Sequence, residues 1–243
     1  MSRFIGVILA LSFIVCACNK PKVRNSIVVG TNAEYPPYSY VDHGSVVGFD
    51  IDLTKEICQR LHKEIVLYDM PFDALIPALI LNKIDLIAGG LTKTDERSKN
   101  ALFTTPYILD NPLVIVSRKT ENFENIEDLT GKQVVVNEGY LADLYASDLQ
   151  GIELVRLSAP ADAFIALSQD KVDAFITAKS TTVNFLKEYP NSEYYISSSI
   201  GISDEASLAF SKKNGKLLDE VERVLSEMRE DGSLSQLKSK WGL

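Results

Sequence analysis

The sequence predicts an α/β protein of two similar lobes, each a mostly parallel sheet flanked by helices. Three observations predict it. Short apolar runs of strand type alternate with segments whose apolar residues recur at helical spacing, the pattern of βαβ units. A pattern is repeated: Ala78-Leu79-x-x-x-Lys83-Ile84-Asp85-x-Ile87 returns 88 residues later as Ala166-Leu167-x-x-x-Lys171-Val172-Asp173-x-Phe175. The chain of 243 residues, 46% hydrophobic and 24% charged, suits one large globular domain or two of about 100 residues and argues against extended disorder.

The elements follow in order. Residues 27–30, Ile-Val-Val-Gly, form a buried strand, and Pro36 and Pro37 force a loop or extended stretch. Residues 50–62 carry helical spacing, with Ile51, Leu53, Ile57, Cys58 and Leu61 on the apolar side. A strand at 65–67, a helix at 72–81 and a strand at 84–88 come next; Pro77 fits that helix only in its first turn. The second half alternates likewise: strand 133–136, helix 141–149, strand 154–157, helix 161–170, strand 172–176. In the tail, Leu217, Leu218, Val221, Val224, Leu225 and Met228 make one helical face. Asp231-Gly232-Ser233 breaks it, and Ser233 is placed to cap a last helix ending at Trp241, a packing anchor.

The N-terminus is an address. Arg3 is the only charge before Lys20, and the apolar run from 4 to 17 is shorter than the roughly 18–20 residues that span a bilayer. This is the form of a secretory signal peptide. Val15-Cys16-Ala17-Cys18 resembles a bacterial lipobox, which implies cleavage after residue 17 and an acylated, membrane-anchored Cys18 (palmitate among its lipids). Residues 18–26 read as a tether. The remainder is one unit more negative than the full chain's −8. With 25 Lys+Arg against 33 Asp+Glu, nucleic acid is excluded as a partner. Cys58 is then the single free thiol, which rules out an intramolecular disulfide, and its helical setting points to core packing rather than nucleophilic chemistry.

Ligands of open α/β sheets bind beyond the carboxyl ends of strands. Four such ends fall at 30–35, 88–92, 137–140 and 177–180. The 88-residue offset sets Gly89 and Gly90 opposite Thr177 and Ala178, across a cleft between lobes. Glycines there let backbone approach a ligand, although a Gly-Gly pair alone is an ordinary turn. Thr92 adds a hydroxyl. Arg97 adds a guanidinium that can fork onto a carboxylate, although a lone arginine is usually a surface ion pair.

Taken together, these and further motifs resemble the periplasmic amino-acid-binding proteins of ABC importers, the bacterial extracellular solute-binding proteins of family 3. The carriers are Gly30-Thr31-Asn32-Ala33-Glu34-Tyr35-Pro36-Pro37-Tyr38, Gly48-Phe49-Asp50-Ile51-Asp52-Leu53, Phe72-Asp73-Ala74-Leu75-Ile76-Pro77-Ala78-Leu79, Thr92-x-Thr94-x-x-Arg97, Leu129-Thr130-Gly131-Lys132 and Asp231-Gly232-Ser233 with Lys240-Trp241. Within the family the chain is most similar to binders of basic amino acids, arginine binders of ArtJ type included. The resemblance implies the type II two-lobed fold with a two-strand hinge: lobe one from 27–110 and 205–243, lobe two from 111–204, with crossovers near 108–111 and 203–206. It implies a monomer in the periplasm or cell envelope that hands its ligand to a membrane permease, with no catalytic residue, cofactor or metal.

Roles follow by residue. Arg97 grips the ligand α-carboxylate, helped by backbone N–H groups near Thr92 and Tyr140. The Thr92 hydroxyl and Gly90 carbonyl face the α-ammonium. Tyr35 and Phe72 sandwich a long cationic side chain, a contact worth ~0.5–2 kcal/mol. Asn32, Glu34, Asp50 and Glu138 offer polar ends, with Glu34 or Glu138 able to supply a charge for a buried cation. One departure stands out: family members usually place an aspartate on the α-ammonium where this chain has Ala178, and Gly89 and Gly90 replace common serines. Two alternatives remain open, an enzyme on the same fold of cyclohexadienyl-dehydratase type with Glu138 as acid, and a surface lipoprotein with an added adhesion role.

Overall fold

Residues 25–243 are described by a computed structural model; the expected signal peptide, Cys18 and nearly all of the tether lie outside the described residues. β1 (Ser26–Thr31) opens the chain, followed by a ribbon of β2 (Glu34–Tyr35), β3 (Ser39–Asp42) and β4 (Ser45–Val47). Then come α1 (Phe49–Arg60), β5 (Glu64–Asp69), α2 (Phe72–Ile80), β6 (Leu86–Ile87), α3 (Asp95–Ser98) and β7 (Ala101–Phe103). The middle of the chain forms β8 (Leu113–Arg118), a short 3-10 turn (Ile126–Leu129), β9 (Gln133–Asn137), α4 (Leu141–Ala146), β10 (Glu153–Leu157), α5 (Pro160–Ser168), β11 (Ala174–Ala178), α6 (Lys179–Glu188) and β12 (Tyr194–Ile196). It ends with β13 (Ala209–Ser211), α7 (Gly215–Glu230) and α8 (Ser233–Trp241).

Two five-stranded sheets result, in the orders β5-β1-β6-β13-β7 and β10-β9-β11-β8-β12. In each, four strands run one way and the fourth in order is reversed: β13 is antiparallel to β6 and β7, and β8 to β11 and β12. The reversed strand follows a crossover between the sheets. It starts at the cleft, so it runs against the strands that end there. Isolated bridges Ile108–Ala206 and Pro112–Ser203 tie the two crossovers together.

The sequence repeat does the same work twice. Asp85 accepts from the Val28 N–H (2.8 Å) while its own N–H donates to the Val28 carbonyl (2.7 Å). Asp173 treats Gln133 identically, at 2.8 Å both ways. Each aspartate thus pins the start of its strand to the neighbouring strand. Asn82 and Asp170, three residues earlier in each copy, both turn through left-handed backbone (φ 54° and 56°), which these short polar side chains tolerate.

Both sheets are covered on both faces. Leu53, Leu75, Leu79, Phe210, Val221 and Leu225 enclose the first. The alternation of β9 sends Val134 and Val136 into one core of the second sheet and Val135 into the other, with Phe164 and Phe175. The tail helices return to the first sheet: Trp241 Nε1 donates to Asp52 (3.0 Å) and its ring meets Tyr40 edge-on. Cys58 is buried in this core.

Several expected elements shift. Pro77 is the sixth residue of α2, not in its first turn; it lies on the exposed face, so the Asp73 carbonyl that loses its helical partner is open to solvent. Gly232, in left-handed backbone, precedes α8, and Ser233 is the first helical residue, accepting from Arg60 Nη2 at 2.9 Å instead of capping. The strand expected at 172–176 runs two residues later, because Val172 still belongs to the turn and Asp173 is spent on β9. The strand expected at 84–88 pairs only at Leu86–Ile87, and the helix expected at 141–149 stops at Ala146.

Candidate functional site

The ends of β1, β6, β9 and β11 and the two crossovers meet in one place. Arg97, in the short helix α3, is 8% exposed, and its backbone is held by the Thr94 hydroxyl. Its guanidinium reaches back across the cleft. Nη1 donates to the Thr92 carbonyl (2.6 Å) and Nη2 to the Gly139 carbonyl (2.7 Å), so one fork joins the first sheet's loops to the second's. The fork also lies 5.6 Å from the Phe72 ring centre. Burial without a paired carboxylate pushes its pKa down to about 10, against the attraction of Asp204 and Glu96.

Three rings fill the space between the sheets. Tyr140, at the start of α4, packs 4.2 Å from Phe72 and edge-on to Tyr35 at 5.0 Å. Its hydroxyl donates to Asn32 Oδ1 (2.9 Å). The slot expected for a ligand side chain, between Tyr35 and Phe72, therefore holds the ring of Tyr140. Tyr35 stacks on Tyr38, whose hydroxyl meets Ser180 Oγ at 3.4 Å and accepts from Asn111 (3.2 Å).

Beneath the rings lies the Gly89-Gly90 turn. Gly90 has φ +64°, and a Cβ there would stand 2.6 Å from the Tyr35 ring. Its N–H donates to Asp50 Oδ2 (2.6 Å), and Tyr107 donates to Asp50 Oδ1 (2.7 Å). Asp50 is fully buried, and burial pushes its pKa up to about 7 despite these two bonds. It holds the turn from below, and its full burial keeps it from the cleft. Gly48, directly before α1, has φ +134° with the Tyr38 carbonyl 2.2 Å from any added Cβ, so the Gly-Phe-Asp motif is needed to deliver Asp50.

The remaining expected residues are spread. Asn32 is buried and fully partnered, donating to the Met70 carbonyl (3.3 Å) and Glu34 (3.5 Å). Glu34 is exposed and lines a cavity of about 240 Å³ between the lobes, with Pro36, Phe164, Thr181 and Phe185. Glu138 is exposed, its N–H bound to the Leu157 carbonyl. Ala178 closes β11, 3% exposed, with only a methyl group to offer.

Asp204 is the residue that the sequence hid. It sits on the second crossover, 8% exposed, its N–H on the Asn111 carbonyl (2.7 Å). Its carboxylate accepts from the Thr92 hydroxyl and from the Tyr35 hydroxyl (3.2 Å). Burial pushes its pKa up, while Thr92, Arg97 and Tyr35 oppose that rise. Flanked by Ser203 and Glu205, it reads as an exposed loop acid; the missing acid at Ala178 was the available hint that one must come from elsewhere.

A type II two-lobed fold with charged groups buried at the lobe junction defines a binding protein that encloses a small solute. The chain belongs to the bacterial extracellular solute-binding proteins, family 3, whose model matches residues 27–243. It is 28% identical over 239 residues to the arginine-binding extracellular protein ArtP of Bacillus subtilis, covering 95% of this chain and 93% of that one. It is 31% identical to a probable histidine-binding protein of Campylobacter jejuni, covering 93% and 89%. Among solved structures, a mutant of the arginine-binding protein ArgBP of T. maritima superposes with a TM-score of 0.85 at 38% identity, covering 90% of this chain and 95% of that one. The family is one of extracellular solute-binding proteins, and the relatives named here are binding proteins rather than enzymes.

Proposed function

We propose that this protein captures a basic amino acid, L-arginine above others, between its lobes and delivers it to an ABC permease, tethered to the membrane by a lipid on Cys18 and acting as a monomer. The carrying observation is Arg97: a buried guanidinium whose fork rests on two carbonyl oxygens and, among the described residues, no carboxylate. An anion of matching shape binds such a fork more strongly than neutral carbonyls do. A ligand α-carboxylate takes the place of the Gly139 carbonyl once the lobes part. The same parting withdraws Tyr140 from Tyr35 and Phe72, so carboxylate site and side-chain slot open together.

The preference for a cationic side chain rests on three supports. Aromatic faces suit a guanidinium. Glu34 and Glu188 border an inter-lobe cavity with aromatic walls, where an aliphatic stem and a charged end both find partners. The relatives named above include arginine and histidine binders. The enzymatic reading with Glu138 as acid finds no support here, since Glu138 is exposed, and the relatives named above are solute binders.

Calorimetric titration of Arg97→Ala tests the reading. Loss of the charged fork weakens L-arginine binding by at least about 100-fold. Unchanged affinity would refute the role.

A further inference from the structure

Resting on that reading, we propose that Asp204 is the counterion for the ligand's α-ammonium, so that the whole α-amino-acid group is held by the first lobe and the crossover, with no charge from the second lobe.

The geometry runs through Thr92. Its carbonyl accepts from Arg97, and its hydroxyl donates to Asp204. A carboxylate on the Arg97 fork carries its ammonium on the adjoining carbon, one bond away. That places the ammonium beside Thr92, where Asp204 is the buried acid. The two charged groups flank one residue and complement a zwitterion.

The electrostatics agree. Asp204 is a buried carboxylate held by two neutral hydroxyls, and no ion pair to it is found among the described residues. A buried charge without a counterion is costly, and an entering ammonium removes that cost. Competing carboxylates fall away one by one. Asp50 is fully buried, bound by the Gly90 N–H and Tyr107, whereas Asp204 keeps 8% exposure and touches Thr92. Glu34 and Glu138 are exposed, and Ala178 has no charge.

Two consequences follow from the place of Asp204 on the crossover. The Tyr35 hydroxyl bonds the same carboxylate, so the ring that walls the side-chain slot is positioned by the group that reads the ammonium. Also, the Asp204 N–H is tied to Asn111 on the other crossover, and the Asn111 side chain bonds Tyr38 and the Ser180 N–H at the start of α6. Ammonium capture is thereby linked directly to the segment about which the lobes turn.

The test compares L-arginine with 5-guanidinopentanoate, which lacks only the α-ammonium, by calorimetry on the wild type, Asp204→Asn, Glu34→Gln and Glu138→Gln. The wild type is expected to prefer L-arginine by at least about 30-fold. Asp204→Asn, checked for folding by thermal melting, is expected to erase most of that ratio while binding the analogue nearly as before. Glu34→Gln and Glu138→Gln are expected to preserve the ratio, whatever they do to both affinities. An unchanged ratio in Asp204→Asn, equal binding of both ligands by the wild type, or a collapsed ratio in either glutamate variant overturns the assignment while leaving the binding function intact. If Asp204→Asn does not fold, the wild type and the two glutamate variants still decide it. A wild type that binds no cationic amino acid overturns the binding reading and this assignment with it.

Discussion

Replacing Gly90 by alanine should damage the site far more than replacing its neighbour Gly89. The two differ by one position and by almost nothing in sequence terms. At Gly90 the backbone is left-handed (φ +64°), and an added Cβ would stand 2.6 Å from Tyr35 Cε1 and 3.0 Å from Cδ1. The ring has little room to retreat, because it stacks on Tyr38 and meets Tyr140, both at 5.0 Å. Left-handed backbone costs a non-glycine residue about 1–2 kcal/mol, and forced overpacking another ~1–3 kcal/mol, so Gly90→Ala should lose about 2–5 kcal/mol. At Gly89 the nearest atom to an added Cβ is the Asn32 nitrogen at 3.6 Å, ordinary contact. Gly89→Ala should therefore stay within about 1 kcal/mol of the wild type. Urea unfolding of both variants measures the difference. Arginine titration should show the second effect: displacement of Tyr35 breaks its bond to Asp204 and weakens binding in Gly90→Ala alone. Equal midpoints and affinities for the two variants would refute the packing described for the turn.

Two further predictions concern neighbouring groups. The folded state holds the Asp50 proton up to about pH 7, well above the ordinary aspartate value, so the folded form binds more protons in between. Asp50 thus lowers stability progressively as pH rises from about 4 to 7, by an amount on the order of a few kcal/mol. Asp50→Asn, which can accept from Gly90 and donate to Tyr107, should lose that slope, and thermal melts that fall in parallel with the wild type would contradict this. Tyr140→Ser removes the ring that a ligand side chain has to displace, so L-arginine should bind at least about tenfold tighter, at a cost in ligand-free stability of ~3–5 kcal/mol; weaker binding would disprove competition for the slot.

The parts of the fold legible in the sequence are those set by local pattern. The helix-turn-strand repeat ending in Asp85 and Asp173 was readable because its bonds are made by the same residues at the same spacing in both lobes. The strands β8 and β13 were not singled out, since their partners lie far away in sequence and their direction is set by the crossovers. The ribbon β2–β4 is too short to show alternation. In the site, the Arg97 and Gly89-Gly90 motifs pointed to the cleft, and the structure brings Asn32, Tyr35, Phe72, Thr92, Arg97 and Tyr140 together there. Two features escaped. Tyr140 carries no mark of filling the slot, because that depends on how the lobes meet. Asp204 looks like a surface acid, and its carboxylate partners, Tyr35 and Thr92, lie more than 100 residues earlier in the chain.

Calorimetric titration of the ligand-free protein with L-arginine, L-lysine, L-ornithine, L-histidine and L-glutamine tests the central claim most directly. Selective binding of a cationic amino acid, L-arginine first, is the predicted result. Silence towards every cationic ligand, or a preference for glutamine, would contradict it.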